Sequence, residues 1–271
     1  MSSKISFLDT NDADILLNDL MNLLYKVTVP SLIISAIIII ITFLLYILIR
    51  KHPLNFKETK LKETTFCINI GIAANGIISL VLLGINYLIE KMFGNLSSLL
   101  PDTNVTDLVL KGQPFWVLLL GTGILVPITE EIVFRYGLCG TLARNNKKIA
   151  LIISAVVFGV MHGNLIQGTY ATVLGLIMGA IYMKYNNLIY SILIHIAINS
   201  SSVIVSQIGK EWIIYVVGVI SLLFVIYMLK KNPELKEFEF LKEKHEYKKL
   251  PSLKDIQKEK VDEETYDFKE E

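Results

Sequence analysis

The sequence predicts an all-α fold, namely a polytopic membrane helix bundle of about seven transmembrane helices. Hydrophobic residues make up 53% of the 271 residues and charged residues only 19%, and the mean hydropathy is +0.54. Apolar stretches of roughly 15 to 22 residues, long enough or nearly long enough to span a bilayer, recur along the chain. The net charge of +1 averages a neutral membrane body and a highly charged tail, so it indicates no nucleic-acid partner.

Three regions differ in composition. Residues 1–28 are polar or amphipathic, and the spacing of apolar positions within 12–27 predicts a short amphipathic helix at the membrane surface. Because this region lacks a basic segment followed by an apolar one, we expect no cleavable signal peptide. Residues 29–229 contain the predicted spans, and the polar motifs described below lie within 114–206. Residues 230–271 are rich in Lys and Glu, which predicts a solvated, charged cytoplasmic tail.

The apolar segments of the membrane region predict seven spans, which also set its orientation. Basic residues follow the first, third, fifth and seventh spans, so the positive-inside rule predicts an outside N-terminus and a cytoplasmic C-terminus. Glycines spaced by four, Gly159-xxx-Gly163 and Gly175-xxx-Gly179, predict close packing of spans four and five. The spans lie at about 29–49, 66–89, 114 to beyond 130, 149–162, 165–183, 188–206 and 212–229.

Few charged or imidazole groups lie within or against these spans. A charged residue at the bilayer centre costs roughly 2.5–3.5 kcal/mol on insertion scales, so such residues usually have a function. Glutamates that only reach the headgroups, or histidines that only join two helices, are the simpler interpretations. These interpretations are less convincing here because the carboxylate pair and the two histidines within the spans occur on separate helices of one bundle. The groups are Glu130, Glu131, Arg135, His162 and His195, to which Asn199 adds a neutral amide.

The spacing of these residues separates the two glutamates. On an α-helix Glu131 and Arg135 lie four apart and share a face, which predicts an ion pair. Glu130 lies about 100° around the helix and is left for another partner. We therefore expect Glu131 to be structural and Glu130 to carry the chemistry. His195 and Asn199 also lie four apart, so their side chains project together.

Two mechanisms fit a glutamate, two histidines and an asparagine. In the first, Glu130 takes a proton from water as general base and one imidazole holds that water. The other imidazole and the Asn199 amide then stabilise the oxyanion of a tetrahedral intermediate. In the second, Glu130, His162 and His195 bind zinc as the His₂Glu ligand set of an intramembrane metalloprotease. The sequence leaves both open, so the cofactor is either none or a divalent metal.

Other chemistries lack their residues or remain as alternatives. The sequence contains no HExxH motif, no serine framed by glycines and no pair of aspartates within the spans. Cys67 and Cys139 lie in different apolar segments, so we expect buried, unpaired side chains. Two functions other than proteolysis stay open: a bacteriocin-immunity protein that binds without catalysis, and a proton-coupled transporter, because membrane carboxylates and histidines also build proton relays.

Three motifs in the third, fourth and sixth predicted spans resemble those of a known family. In this order they are similar to the motifs of the CPBP family, also called Abi, of CAAX-protease-like and bacteriocin-processing membrane proteins. The resemblance implies an all-helical intramembrane endopeptidase with an active site in a cavity open toward the cytoplasm. The motifs are Glu130-Glu131-xxx-Arg135, Phe158-xxx-His162 and His195-xxx-Asn199, all within residues 114–206.

The resemblance also implies roles for individual residues. Glu130 is expected to be the general base, with His162 as its partner in activating water. His195 and Asn199 are expected to stabilise the oxyanion. The implied substrate is a peptide or a membrane-anchored protein. The Ile-, Lys- and Asn-rich composition is typical of an AT-rich bacterial genome, so the expected location is the lipid bilayer of the bacterial cytoplasmic membrane. Three further motif residues are expected to support the reacting groups: Glu131, Arg135 and Phe158.

The position of His162 along the bundle sets a requirement for this site. The span boundaries alone place His162 nearer the outer side of the membrane than Glu130. We therefore expect either an offset span or a break in the helix near Pro127 to bring the two side chains together.

Overall fold

The computed structural model describes residues 10–50, 58–94 and 113–242, and every element within these ranges is helical. The predicted all-α class is confirmed. Within the described residues, six helices are long and apolar enough to cross a bilayer, so the chain is a multi-pass membrane protein. A seventh, α4, is shorter. The helices are α1 (Thr10–Arg50), α2 (Leu61–Phe93), α3 (Phe115–Leu142), α4 (Lys147–Val160), α5 (Leu165–Tyr185), α6 (Leu188–Ile208) and α7 (Trp212–Lys231).

Some predicted features lie outside the described residues. They include the first nine residues, the basic loop 51–57, the loop 95–112 and the tail beyond residue 242. The chain divides into two compact units, Met1–Leu241 and Lys242–Glu271. All of α1 to α7 belongs to the first unit, and the second lies almost entirely outside the described residues.

Helix α1 joins two segments that the sequence predicts separately. The surface helix predicted for 12–27 is instead the first part of one 41-residue helix that continues through Pro30. A proline inside a helix removes one backbone hydrogen bond, which here does not stop the helix. The span Lys26–Ile49 is only 6% buried within the protein, so α1 exposes its apolar side chains to lipid. Among the described helices, only α3 makes more than slight contact with α1.

Helix α4 forms a tight hairpin with α5. Its 14 residues extend about 21 Å, less than the hydrocarbon thickness of about 30 Å. The predicted close packing of the two helices is confirmed, because the backbones of Gly159 and Gly168 approach each other and Gly175 lies against Ala155. Gly163 has a different role from the one predicted: it has a positive φ of 67° in the turn between the helices.

The bundle is organised around α2 and α6. Helix α2 packs between α6 and α7, and α6 also contacts α3 and α5. Gly76 of α2 faces Gly218 of α7, so neither position has space for a side chain. Asn75, one residue earlier, donates hydrogen bonds to the Ser201 and Ser202 hydroxyls of α6 at 2.8 and 2.9 Å. Small and polar side chains therefore hold these helices close together.

The basic segments of the chain meet at one end of this bundle. Lys62, at the start of α2, forms an ion pair with Glu234, which follows α7. Lys184, at the end of α5, donates hydrogen bonds to the backbone carbonyls of Glu234 and Glu237. The end of α3 joins them where Gly140 lies against the Tyr182 hydroxyl of α5. That this end faces the cytoplasm stays a prediction from the charge pattern.

The first residues of the charged tail pack against the bundle. A 3₁₀ turn, Pro233–Lys236, and a short helix, α8 (Glu239–Lys242), follow α7. Leu235 and Phe240 are buried, with 2% and 4% of their surfaces exposed. The part of the tail that the structure describes is therefore anchored by apolar side chains, although the sequence predicts solvation from residue 230 onward.

Candidate active site

Helix α3 is irregular on both sides of its glutamate pair. Residues Leu119–Leu125 and Ile132–Cys139 form π-helical turns, and the α-helical segment Val126–Glu131 lies between them. Such wide turns are frequent at functional sites. The helix does not break at Pro127. The π-helical turn before the proline absorbs the distortion, because the ring has no N–H and would clash with the carbonyl four residues earlier in a regular helix.

Helix α6 supplies the hydrogen bonds that Pro127 does not. The Ser200 hydroxyl donates to the carbonyl of Gly123 at 3.0 Å, four residues before the proline. The Asn199 side-chain amide donates to the neighbouring carbonyl of Thr122 at 3.1 Å. Since an asparagine amide has two N–H donors, Asn199 keeps one for another acceptor. The residue predicted to stabilise an oxyanion is therefore also tied to the backbone of α3.

The ion pair expected from the sequence spacing forms inside the bundle. Arg135 Nε lies 3.0 Å from Glu131 Oε2, and neither side chain is exposed. The Arg135 guanidinium also donates from Nη1 to the Ser154 hydroxyl at 3.3 Å. Its Cζ atom lies 4.8 Å from the centre of the Phe158 ring, within cation–π distance. The guanidinium is thus in contact with three side chains from two helices.

His195 lies between the two glutamates. Its Nδ1 is 3.0 Å from Glu131 Oε1 and its Nε2 is 3.4 Å from Glu130 Oε2. An ionised carboxylate only accepts hydrogen bonds, so Nδ1 carries the proton that faces Glu131. Glu131 therefore has two partners, Arg135 and His195, rather than the single partner expected from its helix. The sequence could show neither contact across helices.

Glu130 and Glu131 differ in their access to solvent. The Glu130 side chain is 30% exposed, whereas that of Glu131 is fully buried. Glu130 also interacts electrostatically with the imidazole of His162 as well as with that of His195. Of the two carboxylates, only that of Glu130 can therefore reach a water molecule or a substrate, and it interacts with both histidines.

His162 lies just beyond the last turn of α4. Its Nδ1 is 2.8 Å from the backbone carbonyl of Phe158, which makes Nδ1 the donor and leaves a lone pair on Nε2. The Phe158 ring contacts both imidazoles edge to face, with centres 4.9 Å from His162 and 5.6 Å from His195. The apolar ring of Phe158 therefore lies between the two histidines and against the guanidinium of Arg135.

The residues that could bind zinc do not form a three-ligand site. Among the described residues, no group of three His, Cys, Asp or Glu side chains is arranged to hold a metal ion. This includes the set of Glu130, His162 and His195. Instead, the partly exposed carboxylate of Glu130 lies beside the imidazole of His195, whose other nitrogen is held by the buried carboxylate of Glu131. Such a group can transfer protons without a metal.

The structure adds residues that the sequence reasoning missed. Ser154 and Ser200 make hydrogen bonds that hold α4 and α6 to the irregular turns of α3. Ser191, one turn before His195, lies against the Glu131 carboxylate. Ser154 has a signal in the sequence, because it precedes Phe158 by four residues, as Phe158 precedes His162. Ser200 has a weaker one, since it directly follows the motif asparagine.

Comparisons with known proteins agree with the motif pattern. The model of a family described as type II CAAX prenyl endopeptidase Rce1-like matches residues 112–201, which include all seven motif residues. The chain is also 33% identical over 121 residues to the UPF0177 protein YxdF of Lactococcus lactis, an alignment that covers 43% of this chain and 67% of the relative. No solved structure matches the chain significantly.

Proposed function

Because this chain belongs to the CPBP family of CAAX-protease-like membrane proteins, we propose that it is an intramembrane endopeptidase with Glu130 as general base. Its substrate is a membrane-associated peptide or protein. The observation that best supports the proposal is the position of His195, 3.0 Å from Glu131 and 3.4 Å from Glu130. This contact makes Glu130 part of a proton-transfer group, which a glutamate that only reaches the headgroups would not need.

The reaction begins with a water molecule beside the carboxylate of Glu130. The Nε2 lone pair of His162 accepts a hydrogen bond from this water, and Glu130 takes its other proton. The oxygen then bonds to the carbonyl carbon of the scissile peptide, whose carbonyl oxygen becomes an oxyanion. Glu130 returns the proton to the amide nitrogen as the C–N bond breaks, which releases an amine and a carboxylic acid.

The oxyanion is stabilised from helix α6. His195 donates from Nε2, and Asn199 donates through the N–H that is not used on Thr122. For His195 to donate from both nitrogens it must be an imidazolium, and the buried carboxylate of Glu131 stabilises that charge. Arg135 keeps Glu131 ionised in turn, because a buried carboxylate without a cation is strongly disfavoured.

The depth of these groups supports a substrate within the membrane. His195 follows the start of α6 by seven residues, or about 10 Å, and Glu130 lies 3.4 Å from its Nε2 atom. The distance along α6 runs from the basic end of the bundle. The reacting groups therefore lie in the half of the bilayer nearest that end, which we propose is the cytoplasmic side of a bacterial membrane. Membrane-anchored proteins and the precursors of bacteriocin or quorum-sensing peptides fit this position.

A reconstituted assay tests the proposal. Purified protein in liposomes is supplied with a quenched fluorescent peptide that ends in a farnesylated CAAX sequence, and with the same peptide without the farnesyl group. We expect cleavage by the wild-type protein and a loss of about 10²–10⁴-fold in kcat for Glu130→Gln. Glu90→Gln, at an exposed glutamate of α2, is the matched control and should retain full activity.

Cells provide the second arm and the results that would refute the proposal. Peptides released by cells with wild-type protein are compared with those from cells with Glu130→Ala or His162→Ala, which identifies a natural substrate. Full activity of both variants would contradict proteolysis and favour an immunity protein that only binds. Solute uptake that depends on a pH gradient and is abolished by Glu130→Gln would instead support a transporter.

A further inference from the structure

We propose that Ser154 is a positioning residue for this reaction and that it extends the Phe158-xxx-His162 motif by one helical turn. Its hydroxyl holds the guanidinium of Arg135 and so sets the position of Glu131 and His195. The inference rests on the proposed function, since it assigns a role within the same site. Ser154, Phe158 and His162 lie four residues apart in sequence, which places Ser154 and Phe158 on one face of α4 and His162 just beyond the end of that helix.

The first step is the geometry of the hydroxyl. Ser154 is 1% exposed, and its Oγ donates to the backbone carbonyl of Phe134 at 2.8 Å. The same oxygen accepts from Arg135 Nη1 at 3.3 Å. A serine hydroxyl has one donor and two acceptor positions, so both bonds form together. Phe134 lies within the π-helical turn of α3, and Ser154 therefore binds both the backbone and a side chain of that turn.

The second step is the small number of groups that orient Arg135. Its Nε pairs with Glu131, its Nη1 bonds to Ser154, and its face lies on the ring of Phe158. Within the part of the chain that the structure describes, neither Nε nor Nη2 makes a hydrogen bond, although Nε lies within ion-pair distance of Glu131. Ser154 therefore accepts the hydrogen bond that orients the guanidinium, and without its hydroxyl only the ion pair with Glu131 and the ring of Phe158 restrain the group.

The third step leads from Arg135 to the reacting groups. Glu131 forms an ion pair with Arg135 through one carboxylate oxygen and a hydrogen bond with His195 through the other. Rotation of the guanidinium therefore moves the carboxylate that holds the imidazole, and with it the Nε2 atom beside Glu130. Since these contacts lie behind the reacting groups and touch no substrate, loss of Ser154 should lower kcat and leave KM unchanged.

The test compares two buried serines in the liposome assay with the fluorescent CAAX peptides. We expect Ser154→Ala to lower kcat about tenfold or more, the range for loss of a hydrogen bond to a charged group, with KM within about twofold. Ser154→Thr, which keeps the hydroxyl, should recover most of the activity. Ser221→Ala removes a buried hydroxyl from α7, away from the site, and should match the wild-type protein.

A double-mutant comparison separates positioning from a general loss of packing. Since Ser154 acts through Arg135, Ser154→Ala should have little further effect on kcat in an Arg135→Lys background, whereas independent effects would multiply. Every variant is assayed well below its unfolding temperature. A wild-type kcat in Ser154→Ala would overturn the inference, and so would effects of Ser154→Ala and Arg135→Lys on kcat that simply multiply in the double variant. In either case an inactive Glu130→Gln would leave the proposed function intact. An active Glu130→Gln would refute the proposed function itself.

Discussion

The buried ion pair of Glu131 and Arg135 should contribute far more to stability than the ion pair of Lys62 and Glu234 at the end of the bundle. The side chains of the first pair are 0% exposed, whereas those of the second are 39% and 54% exposed. Removal of one partner of a buried pair leaves a charge without compensation and costs about 3–5 kcal/mol. An exposed pair contributes only about 0–1 kcal/mol.

The substitutions follow from this contrast. Arg135→Met should lower the free energy of unfolding by about 3–5 kcal/mol, because Glu131 then keeps only the imidazole of His195 as a counter-charge. Lys62→Met is the matched control, and its loss of stability should be much smaller because solvent screens the exposed pair. The double variant Glu131→Gln, Arg135→Met removes both charges and should be less destabilised than Arg135→Met alone.

The protein contains its own probe for the measurement. Cys67 and Cys139 are its two cysteines, and both are fully buried and unpaired. A thiol-reactive fluorescent dye will label them only as the bundle opens, so labelling against temperature or denaturant reports unfolding. Equal losses in Arg135→Met and Lys62→Met, or a loss below about 1 kcal/mol in Arg135→Met, would show that the buried pair does not stabilise the fold.

Three further predictions use the same labelling assay. Gly76→Ala should destabilise the protein, because its new methyl group would meet the backbone of α7, whereas Gly84→Ala meets nothing within 4 Å and should be neutral or stabilising; equal effects would argue against the observed helix contact. Leu235→Ala should lower the free energy of unfolding by about 2–5 kcal/mol because Leu235 is buried, whereas Leu241→Ala, at an exposed position, should have little effect. Equal effects would show that the start of the tail is not packed against the bundle. The hydrogen bond from Lys62 of α2 holds the pKa of Glu234 below its usual range. The ionised carboxylate therefore stabilises the fold near neutral pH, and this stabilisation is lost as the pH falls through the folded pKa. Glu234→Gln should therefore be less stable than wild type at pH 7, and the difference should disappear as the pH falls below the folded pKa of Glu234; a difference that persists in strong acid would contradict this.

The membrane class and the helix pattern could be predicted from the sequence because the bilayer imposes a local requirement. A spanning helix needs about 20 apolar residues, so hydropathy alone identifies it. The same reasoning is less informative for α4, where 14 residues form a helix that does not reach across the hydrocarbon. It also misses the start of the tail, because a few apolar side chains, among them Leu235 and Phe240, anchor the part of the tail that the structure describes.

Within one helix, spacing was sufficient to predict a contact. Glu131 and Arg135 form the expected pair although π-helical turns begin directly after Glu131, since the four-residue spacing still brings the two side chains together. The roles proposed for Glu130, His162, His195 and Asn199 stay predictions that the experiments above test.

The sequence by itself determined which chemical groups the membrane region holds and which of them share a helix. The tertiary structure decided which groups meet across helices: His195 with both glutamates, Ser154 with Arg135, and α6 with the carbonyls that Pro127 leaves without donors. The physical reason is that helix periodicity is a local property. A hydrogen bond between α3 and α6 depends instead on the relative depth and rotation of two helices, which the packing of the whole bundle sets.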